Sequence, residues 1–288
     1  MRLRTLPLAA SCILTGAAAA EVDGASNWQV ISLTLVTTFL LQILSNFAND
    51  YGDYSHGVDN ENRLGPMRTM QSGAISKEQM RQALIMTSLL SLLSGLLLLW
   101  IVFAPQSQFL QALIMLFFGI AAIAAAIRYT VGRNPYGYRG LGDLFVFLFF
   151  GPVGVMGTYF LLTSVIAPHT LLLACTIGLF STAVLNLNNL RDHENDRAMG
   201  KRTLLVQLGY NRGKIYQTLL IGIGTVCLTL WLFTKNQPIT SWLAILPAIA
   251  QCALLAKVWR TQRPQELDSE LKKVALLTFL SSLLLFMV

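Results

Sequence analysis

Charged side chains are scarce in this chain of 288 residues. Asp, Glu, Lys and Arg make up 12% of the sequence, whereas soluble globular domains average about 25%. Hydrophobic residues make up 54%, and the mean hydropathy is +0.57. This shortage of charge excludes a soluble globular domain as the main architecture and indicates a protein that lies largely within a membrane.

Cysteine is also sparse, and its placement excludes two kinds of site. Each of the four cysteines lies within an apolar run, and none has the CxxC spacing of a zinc site. The pattern does not indicate a disulfide framework either. We therefore expect buried, unreactive thiols at Cys12, Cys175, Cys227 and Cys252.

Apolar segments occupy most of the chain, and about 20 such residues form a helix that crosses a bilayer. Nine candidates are separated by turn-forming residues such as Pro105, Pro168 and Pro238. The sequence therefore predicts an all-α, polytopic membrane protein of about nine transmembrane helices in a single domain, residues 1–288. The candidate spans are 6–22, 28–49, 80–104, 108–127, 142–164, 169–190, 215–234, 239–257 and 271–288.

The first candidate span has an alternative interpretation. Residues 1–24 have a basic start, an apolar middle and small residues before Glu21, as secretory signal peptides do. Removal of this segment would leave the orientation of the other spans unchanged. The charge pattern therefore leaves both interpretations open.

Basic residues are distributed unevenly between the connections. With nine spans, 20 of the 21 Lys and Arg side chains fall on the side of the N-terminus, and Lys235 alone falls on the other. Because short loops rich in Lys and Arg stay in the cytoplasm, we expect a cytoplasmic N-terminus. The net charge of +7 then reflects topology and contact with anionic lipid, and it does not indicate nucleic-acid binding.

A first polar cluster prolongs the second apolar segment. Asn46, Asp50 and Asp53 follow one another at spacings of four and three residues, which puts them on one face of a helix. Carboxylates near membrane depth are costly unless they have partners. This cluster is therefore a candidate functional site.

A second cluster of the same composition prolongs the sixth apolar segment. Asn188, Asp192 and Asp196 recur every four residues and also share a helix face. With nine spans, both clusters lie at the same membrane level. One interpretation is that helix ends extend into water and their acids pair with nearby arginines. The interpretation that we favour is that the two clusters face each other and bind divalent cations.

The chemistry of the clusters favours magnesium and a polyphosphate. Carboxylate and amide oxygens are the ligands that Mg²⁺ prefers, and it often shares its ligand shell with substrate phosphates. Arg63 and Arg68 follow the first cluster, and Lys201 follows the second, so cationic side chains would complete a diphosphate site. Metal and cations stabilise a departing pyrophosphate, and the apolar helices would hold an isoprenoid tail. The stretch 141–154 is rich in Phe, which could shield an allylic carbocation.

These motifs resemble those of a known family. The pair Asn-Asp-x-x-Asp (residues 49–53) and Asp-x-x-x-Asp (residues 192–196) is similar to the motifs of the UbiA superfamily of intramembrane prenyltransferases. The branch that prenylates 1,4-dihydroxy-2-naphthoate is the most similar. Four stretches carry this likeness: "RTLPLA", "LQILSNFANDYGDYSHGVD", "RLGPMR" and "PYGYRGLGDLFVFLFFGPVGVMGTY".

The resemblance implies a helical bundle around a central cavity, with Mg²⁺ as cofactor and a retained first helix. It implies transfer of a prenyl chain from polyprenyl diphosphate to 1,4-dihydroxy-2-naphthoate with loss of CO₂, which gives demethylmenaquinone. The enzyme would lie in a bacterial cytoplasmic (inner) membrane, surrounded by lipid, with its active site facing the cytoplasm. No protein partner and no nucleic acid is implied.

The resemblance also assigns roles to residues. Asp50, Asp53, Asp192 and Asp196 would be the catalytic metal ligands, together with Asn46. Diphosphate would be bound by Asn46, Arg63, Arg68, Lys201, Asn188, Tyr129 and Arg133. One position departs from many relatives, because Gly57 stands where they have a further Asp, and Asp59 follows two residues later.

Two alternatives remain at this point. A related prenyltransferase acting on another aromatic acid, such as 4-hydroxybenzoate, would carry the same motifs. A cation-coupled transporter could also bind ions at paired acidic helix ends. Transporters, however, place such charges near the membrane midplane, where this sequence has almost none.

Overall fold

The computed structural model describes residues 5–60, 64–235 and 237–287, and all regular secondary structure in these ranges is helical. The helices are α1 (Leu6–Val22), α2 (Trp28–Ser55), α3 (Lys77–Phe103), α4 (Phe109–Arg128), α5 (Gly142–Leu148), α6 (Gly157–Thr163), α7 (Thr170–Ala198), α8 (Leu204–Leu208), α9 (Tyr210–Thr234), α10 (Ile245–Arg260) and α11 (Leu267–Phe286). The segment Phe149–Met156 is a π-helix that joins α5 to α6.

Seven helical stretches in the described ranges are long and apolar enough to cross a membrane. Two of the nine candidate spans do not meet that description: α1 has 17 residues, and α11 begins with a charged segment, residues 268–273. The structure thus supports a polytopic helical membrane protein, and the count of nine spans stays a prediction.

The two acid-bearing helices continue well beyond their apolar cores. The second candidate span is 28–49, but α2 extends to Ser55. Its start is fixed by Asn27, whose side chain accepts from the N–H groups of Gln29 and Val30. Likewise, α7 extends past residue 190 to Ala198. Both polar clusters therefore lie on helices, whose geometry holds their side chains on defined faces.

Helix α1 lies in the interior of the bundle. Every residue from Leu8 to Ala20 is buried, and the helix packs against α2, α6, α11 and the π-helix. Small residues make this close approach possible. A Cβ added at Gly16 would lie 2.4 Å from the carbonyl oxygen of Val155, so only glycine fits there. By contrast, α3 and α4 lie at the periphery and expose apolar side chains such as Trp100 on α3 and Phe117 on α4.

The π-helix interrupts what the sequence presents as one span, 142–164. Pro152 lies inside it, and because proline has no N–H to donate, the regular α-helical hydrogen-bond pattern cannot pass through this position. Such segments often occur near functional sites. Here Phe149, Phe150 and Val153 of the π-helix line the cavity described below.

A polar cluster at Asp23 ties four chain segments together at the end of the bundle away from the acid clusters. Its carboxylate accepts hydrogen bonds from Lys235 at 2.9 Å and Tyr159 at 2.7 Å, and it lies 2.8 Å from Nε2 of His169. Burial alone would raise the pKa of Asp23, but these three partners outweigh it and lower the pKa to about 2. Helix α2, about 42 Å long at 1.5 Å per residue, separates this cluster from Asp53.

We expect Asp23→Asn to lower the melting temperature of the purified protein in detergent. Because the folded-state pKa of Asp23 lies below its ordinary value of 3.8, its contribution to stability is full above about pH 4 and is lost as the pH falls towards 2. The difference in melting temperature between wild type and Asp23→Asn should therefore be largest near neutral pH and shrink below about pH 4. A difference that is constant over pH 3–7 would show that the carboxylate charge is not what stabilises this end.

Candidate functional site

Arg68 is the centre of the first acid cluster. Its Nη1 lies 2.6 Å from Oδ2 of Asp53 and 2.8 Å from Oδ2 of Asp59, and its Nε lies 3.5 Å from Oδ1 of Asp50. All four side chains are buried. Burial alone would lower the pKa of Arg68, but the three carboxylates raise it above its usual value, so the guanidinium stays charged. The loop between α2 and α3 is thus held against the end of α2.

Lys201 joins the two acid clusters. Its Nζ lies 3.6 Å from Oδ1 of Asp53 on α2 and 3.7 Å from Oδ1 of Asp196 on α7. Burial would lower the pKa of Lys201, and the two carboxylates outweigh this and raise it. The amide of Asn195 also donates to the backbone oxygen of Val58 at 3.0 Å. The two clusters that are 142 residues apart, from Asp50 to Asp192, therefore belong to one site.

The second cluster has its own arginine. Nε and Nη2 of Arg191 donate to the two carboxylate oxygens of Asp192, at 2.9 and 2.6 Å. Arg191 also donates to Asn188 on the same helix and to Asp268 on α11. Part of the arginine-pairing interpretation is therefore correct, because Arg68 and Arg191 each pair with acids of one cluster.

Tyr138 is a site residue that sequence reasoning missed. Its hydroxyl donates to Oδ1 of Asp53 at 2.6 Å, and Lys201 lies over its ring, 5.0 Å from the centroid. Burial, followed by the charge of Asp53, raises the pKa of Tyr138, so it acts as a donor. Nothing in the sequence pairs Tyr138 with an aspartate 85 residues earlier. The sequence does give a signal for Asp59, because it is a further acid that closely follows the first motif.

Glycine brings the loop after α4 against the first motif. Gly52 lies between Asp50 and Asp53, and a Cβ added there would lie 2.5 Å from the carbonyl oxygen of Thr130. The hydroxyl of Thr130 donates to the backbone oxygen of Ala48 at 2.8 Å. This contact places the connection that carries Tyr129 and Tyr138 beside the acids.

A cavity of about 350 Å³ runs from the charged groups down between the helices. It is lined by six of the predicted site residues, namely Asn46, Asp53, Arg68, Tyr129, Asn188 and Lys201. Asp50, Asp192 and Asp196 are buried around these groups but do not line the cavity. Arg133 is exposed and does not line it either, and Arg63 lies outside the described residues.

One wall of the cavity is aromatic. Tyr129 and Tyr136 meet edge to face with centroids 5.4 Å apart, Tyr136 stacks on Phe145 at 4.2 Å, and Phe149 follows at 6.2 Å from Phe145. Below this wall the lining is mostly leucine and other apolar residues. The arrangement suits a ligand with an anionic head and an apolar tail.

The donor chemistry of the site fits a divalent cation together with a phosphate ligand. Within residues 5–60, 64–235 and 237–287, no group of three or more His, Cys, Asp or Glu side chains is arranged to hold a metal alone. The buried carboxylates around the site are Asp50, Asp53, Asp59, Asp192 and Asp196. The buried cations are Arg68, Arg191 and Lys201. Five negative and three positive charges leave an excess of two, which one Mg²⁺ would balance with oxygen ligands only.

The fold and the site define a polytopic, helical membrane protein that presents a charged pocket at one end of an apolar cavity. The model of the UbiA prenyltransferase family matches residues 9–283, and the chain belongs to this family.

Relatives and solved structures agree with this assignment. The chain is 44% identical to 1,4-dihydroxy-2-naphthoate octaprenyltransferase of Haemophilus influenzae, over 98% of this chain and 92% of that protein. It is 42% identical to the protein of the same name from Escherichia coli K12, over 99% and 91%. A UbiA homolog from Archaeoglobus fulgidus bound to GPP and Mg²⁺ superimposes with a TM-score of 0.61 at 16% identity, covering 99% of both chains, which shows the shared fold.

We expect Tyr138→Phe to reduce turnover by about tenfold or more, as loss of a hydrogen bond to a metal-site carboxylate commonly does. Removal of the hydroxyl leaves the ring beneath Lys201 but takes one donor from Asp53. Steady-state prenyl transfer by the purified variant measures this. Tyr136→Phe, whose hydroxyl donates to the backbone oxygen of Ala125 instead, is the control and should lose less. Equal losses in both variants would contradict a specific role for Tyr138.

Proposed function

We propose that this chain transfers a polyprenyl group from polyprenyl diphosphate to 1,4-dihydroxy-2-naphthoate. The prenyl group takes the place of the carboxylate, which leaves as CO₂, and the product is the quinol form of demethylmenaquinone. The relatives named 1,4-dihydroxy-2-naphthoate octaprenyltransferase, at 44% and 42% identity over nearly the whole chain, support this reaction.

The observation that carries the proposal is the position of Lys201 between Asp53 and Asp196. A cation held by both acid clusters marks the place where one diphosphate could contact both. Arg68 and Lys201 line the cavity at this point, so they would bind phosphate oxygens directly. Asn188 and Tyr129 line it beside them and would orient the same group. Arg133 is exposed and does not line the cavity, so the described part of the chain gives it no comparable role.

The acids would hold the cofactor. Asn46, Asp50, Asp53, Asp192 and Asp196 supply oxygen ligands suited to Mg²⁺, and the Mg²⁺ in the Archaeoglobus structure is consistent with this choice. Bound there, the metal would neutralise charge on the departing diphosphate. Arg191 and Tyr138 fix two of the carboxylates, Asp192 and Asp53, through hydrogen bonds.

The cavity would hold the tail and protect the reacting carbon. When the carbon–oxygen bond of the prenyl diphosphate breaks, positive charge develops on the allylic carbon. Tyr136, Phe145 and Phe149 stack in series and line the cavity, and these aromatic rings would stabilise that charge. Apolar walls exclude water, so the electron-rich naphthalene ring captures the prenyl group instead.

We place the protein in a bacterial cytoplasmic membrane with the site facing the cytoplasm. Apart from Lys235, the lysines and arginines fall on the side of the N-terminus when nine spans are counted, and such residues stay inside. The ion pair between Lys235 and Asp23 lies at the opposite end of the bundle, in agreement with this orientation.

The acceptor is tested by supplying purified protein and farnesyl diphosphate with one aromatic acid at a time. We expect a prenylated, decarboxylated product from 1,4-dihydroxy-2-naphthoate, and mass spectrometry would identify it. The comparison acids are 4-hydroxybenzoate and homogentisate, for which we expect no product above background. If the protein prefers 4-hydroxybenzoate or homogentisate, the proposed acceptor is wrong, and the chain is a prenyltransferase of the same family with a different acceptor.

Asp50→Asn and Asp192→Asn should each lower the rate of magnesium-dependent pyrophosphate release by about a hundredfold or more, because each removes a negative charge that would hold the Mg²⁺ that stabilises the leaving group. Asp23→Asn is the matched control, since it makes the same change to a hydrogen-bonded carboxylate at the far end of the bundle. Its rate should stay close to wild type below its melting temperature. Near-normal turnover in either site variant would remove that residue from the site.

A further inference from the structure

We propose that Arg191 and Asp268 are positioning residues that orient Asp192 and preserve its charge for metal binding, which makes the start of α11 part of the site. This inference rests on the proposed function. Neither residue lines the cavity, and the distance in sequence from Arg191 to Asp268 is 77 residues. From the sequence alone, nothing distinguishes these two residues from the other charged residues near the loops between the spans.

Arg191 fixes the plane of the Asp192 carboxylate. Two guanidinium nitrogens, Nε and Nη2, meet the two oxygens at 2.9 and 2.6 Å, which is the bidentate geometry that arginine provides and lysine does not. A carboxylate oxygen has more than one lone pair. Both oxygens of Asp192 can therefore accept from Arg191 and still contact a cation on their other side.

Asp268 holds Arg191 from the opposite side. Nη1 of Arg191 donates to Oδ1 of Asp268, and Nη2 also donates to Asn188 at 2.9 Å. The side chain of Arg191 has no exposed surface, so loss of Asp268 would leave a buried charged donor without that acceptor, which is costly. Asn188 lines the cavity, so the same guanidinium also orients a residue that would face the diphosphate.

The charges explain why a second aspartate is needed. Arg191 with Asp192 alone is a neutral pair, and a neutral pair attracts a metal cation weakly. Adding Asp268 makes this group of three singly negative, so Asp192 keeps its attraction for a cation. Lys272 lies 3.6 Å from the other oxygen of Asp268, but its side chain is exposed, so water and salt screen its charge. Without the charge of Asp268, Arg191 would compete directly with the metal for Asp192. We therefore expect loss of the Asp268 charge to weaken metal binding, and not only to weaken the contact between α7 and α11.

The chain offers a matched control on the same helix. Glu270, two residues after the partly buried Asp268, is fully buried, and it pairs with Lys257 at 2.6 Å and Lys273 at 3.0 Å. Its partners do not include Arg191 or Asp192. Glu270→Gln therefore removes an ion-paired α11 carboxylate without touching the acid clusters.

The first measurement is Mn²⁺ binding, followed by the electron paramagnetic resonance signal of free Mn²⁺. The protein is kept with an unreactive thiolodiphosphate analogue of farnesyl diphosphate, so no turnover is needed. We expect Asp268→Asn to raise the dissociation constant for Mn²⁺ by about tenfold or more, as loss of partners behind metal ligands does. Glu270→Gln should change it by less than about twofold, because residues without shared partners act nearly independently. Melting temperatures of both variants report any general loss of stability.

The second measurement separates charge from geometry. Saturating Mg²⁺ should restore most of the turnover of Asp268→Asn, because its defect is in affinity. Arg191→Lys keeps the positive charge but loses the two-point contact with Asp192, so its kcat should stay low even at saturating Mg²⁺.

Two outcomes would overturn the inference in distinguishable ways. If the wild-type protein binds Mn²⁺ and Asp268→Asn binds it as tightly as Glu270→Gln does, the Arg191–Asp268 pair only connects α7 to α11. The inference is then wrong, and the proposed function is unaffected. If the wild-type protein binds no Mn²⁺ in the presence of the analogue, the proposed function falls with it.

Discussion

The structure depends on the balance of buried charge at one end of the helical bundle. Five carboxylates from α2, the following loop and α7 are buried together with only three cations, in a chain that otherwise has few charges. Lys201 is the member of this group that contacts both clusters, at 3.6 Å from Asp53 and 3.7 Å from Asp196. Such an arrangement is costly unless something balances the remaining negative charge. A divalent metal ion would do so, and a diphosphate would have to bring further cationic charge with it.

The rest of the fold makes this arrangement possible. Small residues along α1 let it occupy the interior, with Gly16 in close contact with the π-helix. The π-helix in turn contributes Phe149 and Phe150 to the cavity wall. At the opposite end, Asp23 ties the ends of helices to one another through Lys235, Tyr159 and His169. The apolar tail and the anionic head of a prenyl diphosphate would thus each meet a matching environment.

Much of this could be predicted from the sequence, because its two main signals are local. Long uncharged runs identify the helices, and spacings of three and four residues place Asp50 with Asp53, and Asp192 with Asp196, on single helix faces. The contacts made across the fold could not be predicted. Tyr138 reaches Asp53 from another connection, and Arg191 reaches Asp268 on α11. The break of the span 142–164 into α5, a π-helix and α6 was also missed. Pro152 was a visible signal for it, but the span as a whole is long and apolar enough to be taken for one helix.

The central claim is that both acid clusters bind one and the same diphosphate. The most direct measurement is a double-mutant cycle on the affinity for farnesyl thiolodiphosphate with Mg²⁺, using Asp53→Asn, Asp196→Asn and the double variant. If one ligand contacts both clusters, either single change removes most of the affinity and the double variant loses little more. Residues that act on a shared ligand couple in this way, whereas independent sites give losses that add within about 0.5 kcal/mol. Full affinity in either single variant would contradict the account, because one of the two clusters would then make no contact with the ligand.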